Sequence, residues 1–246
     1  MFDYHGKVTD RLLLPEGAGF HPVSRAAPLP PPAAPPLWRI PLWRIPLWRT
    51  HAKRGVDVAL ALAGLTLLAA MLPLLALVVR LDSPGPLIFR QRRLGLDGQP
   101  FELLKFRTMR HAPEAAALRQ ATRHDPRVTR IGAWLRRTSI DEWPQLINVL
   151  RGDMSVVGPR PHAPGTRAGG RLFEDVTVHY PERHRVKPGL TGLAQVRGWR
   201  GETDTEQKLL HRIESDLEYI ETWSLGLDLV IIWRTIFMVL RMRNAY

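Results

Sequence analysis

The longest uncharged apolar run of the chain, over residues 58–79, constrains the fold more than any other feature. Its 22 consecutive residues carry no charged side chain, and roughly 20 apolar residues are enough for a helix to cross a bilayer. The run has almost no polar face, which disfavours a helix buried in a soluble core. The sequence therefore predicts a membrane helix within residues 51–82.

Two details leave open how this helix meets the membrane. Pro73 lies inside the run, where it removes a helix hydrogen bond and favours a kink. Basic residues flank the run on both sides, with Lys53 and Arg54 before it and Arg80 after it, and such flanks favour the cytoplasm. A straight spanning helix and a re-entrant helix that breaks at Leu72-Pro73 are both compatible with these residues.

Charge and cysteine count exclude several classes of protein. The chain has 246 residues, with 35 Lys and Arg against 23 Asp and Glu, so its formal net charge is +12. This excess favours anionic partners, namely nucleic acid, anionic lipid or phosphorylated substrates. Nucleic acid is disfavoured because of the apolar run and because no base-reading motif occurs. The absence of cysteine excludes disulfides, thiolate metal sites and cysteine nucleophiles.

Composition divides the chain into three parts. Residues 1–50 form a Pro/Trp-rich arm in which Pro-Leu-Trp-Arg occurs three times, and we expect this arm to be disordered or interfacial. Residues 51–82 form the membrane unit. Residues 83–246 form the third and longest part, which we expect to face the cytoplasm.

The pattern in the third part predicts a helix-dominated α+β fold. A β-hairpin is predicted from residues 87–91 and 101–107, because Asp97-Gly98 between them is a turn signal. Helices are predicted over 113–123, 128–137, 142–150, 206–221 and 225–242. The last helix is largely apolar and ends in arginines, which suits an amphipathic helix at a membrane interface.

The densest polar segment, residues 135–161, contains adjacent carboxylates at Asp141 and Glu142. On one interpretation Asp141 is an N-cap, because Pro144 marks the first turn of a helix. On the other, the pair shares Mg²⁺, which favours one or two carboxylates plus phosphate oxygens, while Arg136, Arg137 and Arg160 hold a pyrophosphate. Nearby cations are then expected to lower the pKa of Asp141 and keep it an ionised nucleophile.

Six stretches together carry a family resemblance. They are Lys-Arg-Gly-Val-Asp over 53–57, Lys-Phe-Arg-Thr-Met over 105–109, the Asp-Glu segment over 141–155, Val-Gly-Pro-Arg-Pro over 157–161, Val-Lys-Pro-Gly-Leu-Thr-Gly over 186–192 and Ala-Gln-Val-Arg-Gly over 194–198. Residues 53–246 resemble the bacterial sugar transferase family, the catalytic unit of monotopic polyprenyl-phosphate phosphoglycosyl transferases. The end of the chain is similar to the branch that starts exopolysaccharide repeats with glucose or galactose 1-phosphate.

The resemblance implies a two-step exchange. Asp141 would attack the β-phosphate of a UDP-sugar, with UDP-glucose or UDP-galactose expected, release UMP and hold the phosphosugar as an acyl phosphate. Undecaprenyl phosphate would then take the phosphosugar, which starts exopolysaccharide or glycoconjugate synthesis. Mg²⁺ belongs to this scheme, with Asp141 and Glu142 as its ligands. Six further positions are expected to contact phosphate or nucleotide: Lys105, Arg107, Arg136, Arg160, Lys187 and Gln195.

The resemblance also implies a place in the cell. The family's membrane element is a re-entrant helix broken at a Ser-Pro pair, and the matching pair here is Leu72-Pro73, which lacks the serine. The protein is then expected in the lipid of the bacterial inner membrane, with its catalytic domain in the cytoplasm. A homodimer stays open. The alternative is a non-catalytic membrane-surface adaptor that binds anionic lipid, although an adaptor would not need adjacent acids among arginines.

Overall fold

The structure is a computed structural model that describes residues 47–110 and 125–241. These residues belong to one compact unit, Leu37–Tyr246. The predicted arm before residue 47 and the predicted helix over 113–123 lie outside the described residues. The first described helix begins at Leu47, so it starts before the boundary predicted at residue 51.

Helices provide most of the regular structure in the described residues. The helices are α1 (Leu47–Asp82), α2 (Arg130–Thr138), α3 (Gln145–Arg151), α4 (Phe173–Val176), α5 (Leu193–Val196), α6 (Glu206–Thr222) and α7 (Leu225–Leu240). The strands are β1 (Ile88–Leu94), β2 (Pro100–Phe106), β3 (Ser155–Val157), β4 (Arg167–Ala168), β5 (Arg171–Leu172) and β6 (Gly189–Thr191). Short 3₁₀ segments connect several of them.

The strands pair two by two. The predicted hairpin is confirmed: β1 and β2 are antiparallel, with Ile88 opposite Phe106. Its turn contains Asp97 at a φ of 52°, a left-handed conformation that aspartate tolerates better than most residues. In the other pairs, β3 is parallel to β6 and β4 is antiparallel to β5. This helix-rich arrangement with small sheets agrees with the predicted α+β class.

One face of α1 is part of the protein core. Ala61, Leu68 and Leu75 are buried, and their spacing of seven residues places them on one stripe of the helix. Other faces of α1 expose leucines at positions 60, 62, 67, 72, 74, 77 and 81. By length and composition, the 33 residues of Thr50–Asp82 are enough to cross a membrane. The helix thus has a protein-facing stripe and an uncovered apolar surface.

Both ends of α1 are bonded to the rest of the described chain. Near its start, Lys53 Nζ forms an ion pair of 2.7 Å with Asp228 of α7. Near its end, an Asp82 carboxylate oxygen accepts a hydrogen bond of 3.2 Å from the backbone N–H of Ile131 in α2. The helix continues through Pro73, so no change of secondary structure marks the predicted break. The break and the re-entrant path therefore stay predictions.

A buried amide joins the hairpin to α3. Asn148 is fully buried, its Nδ2 donates to the carbonyl of Glu102 at 2.7 Å, and its Oδ1 accepts from the N–H of Leu104 at 3.1 Å. Since buried backbone groups must be paired, these two bonds fix where α3 lies along β2. They thereby set Lys105 of β2 against the turn that precedes α3.

We predict that Asn148→Ala destabilises the protein by about 2–4 kcal/mol, because it leaves the buried N–H of Leu104 without a partner and removes the bond to the carbonyl of Glu102. Thermal and chemical unfolding of the detergent-purified protein measures this. The control is Thr222→Ala, which removes an exposed hydroxyl bonded to the carbonyl of Glu218 and is expected to change stability by less than about 0.5 kcal/mol. Equal stability of the two variants would contradict the prediction.

Candidate active site

A short 3₁₀ turn, Ile140–Glu142, carries the adjacent carboxylates between α2 and α3. The side chain of Thr129 caps α2 by accepting from the N–H of Gly132 at 3.0 Å. The helix ends at Ser139, whose φ of 59° is left-handed, and this reversal starts the turn. The turn is therefore fixed at its beginning by a conformation that serine rarely adopts.

The N-cap interpretation of Asp141 is wrong. The turn is preceded by Ser139 and α3 by Pro144, and no side-chain hydrogen bond caps either of them. The first α-helical residue is Gln145, which puts Asp141 outside the capping position. Its carboxylate therefore has no local structural task.

Glu142 is held by two cations. Arg160 donates to both of its carboxylate oxygens, and Lys105 Nζ lies 3.6 Å from Oε1. Burial alone would raise the pKa of Glu142, but the charges of Arg160 and Lys105 outweigh it and hold this pKa below its ordinary value. Glu142 is therefore ionised and paired at neutral pH.

Asp141 differs from its neighbour in having no such partner. Its exposed fraction is 6%, and among residues 47–110 and 125–241 no side chain forms an ion pair or hydrogen bond with its carboxylate. Burial, reinforced by the charge of Glu142, raises the pKa of Asp141 to about 6. The expectation of a lowered pKa is wrong, because desolvation outweighs the nearby cations Lys105 and Arg136. Asp141 is nevertheless mostly ionised at neutral pH, since its pKa lies below 7.

Three of the predicted phosphate contacts lie around this pair. Lys105 and Arg160 bind Glu142, and Arg136 is close enough for its charge to lower the pKa of Asp141. The Nε of Arg136 donates to Thr108 Oγ1 at 2.8 Å, which orients the guanidinium. Burial lowers the pKa of Lys105 to about 8, against the opposing effect of Glu142. The sequence thus predicted a cluster that the fold does assemble.

The other three predicted contacts lie against other parts of the chain, and two of them, Arg107 and Gln195, have hydrogen bonds there. Arg107 is buried and donates to the backbone carbonyls of Val79, Ser83 and Pro86, so its guanidinium holds the end of α1. Gln195 of α5 donates to the carbonyl of Leu190 in β6 at 3.2 Å, so its side chain links these two elements.

Lys187 approaches the end of α3. Gly152 follows the last residue of α3, and a Cβ atom built on it would lie 3.3 Å from Lys187 Nζ. The ammonium group of Lys187 therefore lies beside the end of α3, whereas the turn with Asp141 and Glu142 precedes the start of this helix. The roles of Lys187, Arg107 and Gln195 in binding phosphate or nucleotide stay predictions.

Sequence reasoning missed two cations near the site, Arg93 of β1, whose charge acts on Glu142 and Lys105, and Arg200. Arg200, in the loop after α5, donates to Ser139 Oγ at 2.7 Å, and its charge contributes to lowering the pKa of Glu142. The two residues that bond are 61 positions apart. No local pattern indicates such a contact, since only the tertiary fold brings the loop to the turn.

The donor set fits Mg²⁺ only with ligands from outside the protein. In the described part of the chain no three His, Asp or Glu side chains lie close enough to hold a metal ion. Asp141 and Glu142 supply two carboxylates, and Mg²⁺ commonly takes one or two carboxylates and fills its other positions with phosphate oxygens and water. The unpartnered carboxylate of Asp141 is the readier ligand of the two.

Comparison with known proteins identifies the family. The bacterial sugar transferase family matches residues 48–242. The chain belongs to the bacterial sugar transferase family. The match includes α1, the hairpin, the Asp141–Glu142 turn and α7, so every element that builds the candidate site lies inside the region shared with this sugar transferase family.

Three relatives carry the same kind of name. The UDP-glucose:undecaprenyl-phosphate glucose-1-phosphate transferase of Escherichia coli K12 is 50% identical over 194 residues, which cover 79% of this chain and 41% of that protein. The undecaprenyl-phosphate glucose phosphotransferase of Komagataeibacter xylinus is 52% identical over 195 residues, covering 79% and 37%. A UDP-glucose:undecaprenyl-phosphate glucose-1-phosphate transferase of Caulobacter vibrioides is 51% identical over 194 residues, covering 79% and 72%. The chain thus spans about two fifths of the first two sugar transferases.

We predict that Asp141→Asn stabilises the protein at pH 8 by about 2–3 kcal/mol and that the gain disappears near pH 4. A carboxyl whose pKa is raised on folding from 3.8 to about 6 costs stability when it is ionised, which holds above its folded pKa. Near pH 4 the folded protein already binds the proton, so the substitution removes no charge.

Melting temperatures of wild type and variant across this pH range measure the effect. Asp97→Asn is the matched control, because Asp97 is exposed and asparagine also tolerates its left-handed conformation. We expect no pH-dependent gain from it. If Asp141→Asn melted at a lower temperature than wild type at pH 8, the ionised carboxylate of Asp141 would not cost stability and the prediction would be wrong.

Proposed function

We propose that this chain transfers a sugar 1-phosphate from a UDP-sugar to undecaprenyl phosphate through a covalent phosphosugar on Asp141. The observation that carries the proposal is the buried Asp141 carboxylate, which has no partner among the described residues although it lies in a cationic site. Keeping such a group unpaired costs stability, and a nucleophile needs a free electron pair. A membrane-surface adaptor would have no use for it.

The exchange has two balanced steps. In the first, an Asp141 oxygen forms a bond to the β-phosphorus of the UDP-sugar as the bond from that phosphorus to the bridging oxygen breaks, and UMP leaves with the electron pair. In the second, a phosphate oxygen of undecaprenyl phosphate attacks the same phosphorus and releases the Asp141 carboxylate. The product is an undecaprenyl diphosphate sugar, and the enzyme returns to its starting state.

The surrounding cations suit this chemistry. Phosphoryl transfer depends mainly on positioning and on neutralising the charge of the phosphate oxygens, and Lys105, Arg136 and Arg160 supply fixed positive charge beside Asp141. A Mg²⁺ ion held by Asp141, Glu142 and the substrate phosphates would add further neutralisation. Because Arg160 and Lys105 already balance Glu142, this carboxylate repels an incoming diphosphate less than a free one would.

The names of the relatives support a glucose donor. Proteins about 50% identical to this chain are named for UDP-glucose and undecaprenyl phosphate, and we propose UDP-glucose as the first donor to test, with UDP-galactose as the second. The product would be the first lipid-linked unit of an exopolysaccharide or other glycoconjugate.

A monotopic place in the bacterial inner membrane is supported by α1, α2 and α7. Because Lys53 and Asp82 bond to one protein body, both ends of α1 are expected on the cytoplasmic side, which favours a helix that enters and returns. The helix α2, which packs on α1, exposes Trp134, and α7, which is joined to α1 by the Lys53–Asp228 ion pair, exposes Trp233 and Phe237. Exposed apolar residues that include tryptophans are typical of a membrane interface.

We predict that Asp141→Asn abolishes UMP release, a drop of roughly 10³-fold or more, because the amide is a far poorer nucleophile than the carboxylate. The assay combines purified protein, Mg²⁺, undecaprenyl phosphate and a panel of UDP-sugars. Without acceptor, UDP-glucose labelled at the β-phosphate is expected to label wild type covalently and to leave Asp141→Asn unlabelled.

Asp97→Asn is again the control and is expected to keep full activity. If wild type released no UMP from any UDP-sugar, the proposed activity would be wrong. If Asp141→Asn still turned over, the activity would stand and the nucleophile would be another group.

The proposed topology predicts that both ends of α1 react with a membrane-impermeant maleimide from the cytoplasmic side. The chain has no cysteine, so His51→Cys and Pro84→Cys, both at exposed positions, each give a single reactive thiol. Labelling is expected in inside-out vesicles and not in intact spheroplasts, as for a reference cysteine at exposed Glu214. Labelling of the two sites from opposite sides would establish a spanning helix instead.

A further inference from the structure

Arg200 reaches the candidate active site from a distant part of the chain. Its Nη2 donates to Ser139 Oγ at 2.7 Å, and Ser139 is the residue from which the turn with Asp141 and Glu142 begins. Arg200 is also close enough for its charge to help lower the pKa of Glu142. The guanidinium therefore lies beside the residue from which the carboxylate turn begins.

The fold holds the backbone on both sides of Arg200. The ring of Trp199 stacks on His211 of α6, with ring centroids 4.5 Å apart and an angle of 14°. The carbonyl of Gly201 accepts from Arg212 Nη2 at 2.6 Å. Two anchors on α6 thus present the single side chain between them, which limits the entropy lost when that side chain binds a ligand.

Among the described residues, Arg200 has no carboxylate at ion-pair distance. Its bonded partner is a neutral hydroxyl. In the same loop, Arg197 pairs with Glu218 through both guanidinium nitrogens, at 2.5 and 2.6 Å. Arginine is always charged, and its planar guanidinium suits phosphate. Arg200 is therefore suited to bind an anion when a substrate enters the site.

The charge balance of the cluster points the same way. Five cations lie around the two carboxylates of Asp141 and Glu142, namely Arg93, Lys105, Arg136, Arg160 and Arg200. The cluster therefore has an excess of positive charge for the negative charge of a diphosphate, and Arg200 contributes to this excess.

We propose that Arg200 exchanges its hydrogen bond with Ser139 for phosphate oxygens of a substrate bound at Asp141, and so determines affinity for that substrate. The inference rests on the proposed function, which brings two phosphate compounds to the site. The shared chemistry is a phosphate group beside Asp141, supplied either by the nucleotide donor or by the polyprenyl acceptor.

The competing explanation is that Arg200 only positions the turn. Ser139 has a left-handed φ of 59°, and a bond to its hydroxyl would help to hold that conformation. Ser139→Ala separates the two explanations, because it removes the resting hydrogen bond and leaves the charge of Arg200 in place. Arg197→Gln is the matched control, since it removes one guanidinium of the same loop from an exposed ion pair.

The test measures UDP binding to the purified 246-residue protein by calorimetry, so that it needs no turnover. We expect Arg200→Gln to weaken UDP binding by roughly 10-fold or more, because a charge-assisted hydrogen bond to phosphate is lost. Arg200→Lys is expected to lie between that variant and wild type, since it keeps the charge and loses the fork. Ser139→Ala and Arg197→Gln are expected to remain within roughly 3-fold of wild type.

Steady-state kinetics then identify the source of the phosphate. A KM that rises in Arg200→Gln for UDP-glucose alone assigns the donor, and a rise for undecaprenyl phosphate alone, with UDP binding unchanged, assigns the acceptor. The proposal is overturned if Ser139→Ala matches the loss in Arg200→Gln, or if Arg200→Gln leaves UDP binding and both KM values unchanged. If wild type binds UDP through Arg200 and releases no UMP from any UDP-sugar, the proposed function fails and the binding role of Arg200 stands.

Discussion

The ion pairs of Glu142 with Arg160 and Lys105 organise the candidate active site. They join three segments that are distant in sequence: the turn after α2, the loop after β3 and strand β2. Because they balance the charge of Glu142, the site can contain a second carboxylate without two unpaired negative charges side by side. The carboxylate of Glu142 is held in ion pairs, whereas that of Asp141 has no such partner among the described residues. This difference makes Asp141 the one of the two that is available to react.

The rest of the fold supports this arrangement through buried polar contacts. Asn148 fixes α3 against β2. At the other side of the loop, Arg183 donates to the carbonyl of Arg160 at 2.6 Å and forms a buried ion pair of 2.7 Å with Asp216 of α6. An arginine whose backbone is bonded in this way keeps its guanidinium in one place, which is how a site stays preorganised for charge that arrives with substrate.

Features encoded locally could be predicted from the sequence. The hairpin follows from the turn at Asp97-Gly98, the helix predicted over 206–221 is present as α6 (Glu206–Thr222), and the candidate site was predicted from two acids that are adjacent in the chain. The family resemblance, carried by six motifs, is confirmed by the family match and the relatives.

What could not be predicted depends on tertiary contacts and on burial. Arg107 lies in a recognisable motif, yet its guanidinium bonds the carbonyls at the end of α1, because the fold places those carbonyls beside it. The sequence shows cations near Asp141 and so suggests a lowered pKa, while the desolvation that raises it appears only when the packing is known. The position of Arg200 beside Ser139 could not be predicted either, because it depends on the tertiary fold.

The dual surface of α1 has a consequence for how the protein is made. Lys53 bonds to Val157, Tyr219 and Asp228, which follow it by 104, 166 and 175 residues. A ribosome therefore releases the helix long before its protein partners exist, and contacts of such long range form late in folding. With α1 in the bilayer as proposed, lipid contacts the whole helix before the rest of the domain folds. This includes the stripe that is buried in the folded protein as well as the exposed leucines. The nascent domain must later displace that lipid along one face, so translation, insertion and docking occur in a fixed order.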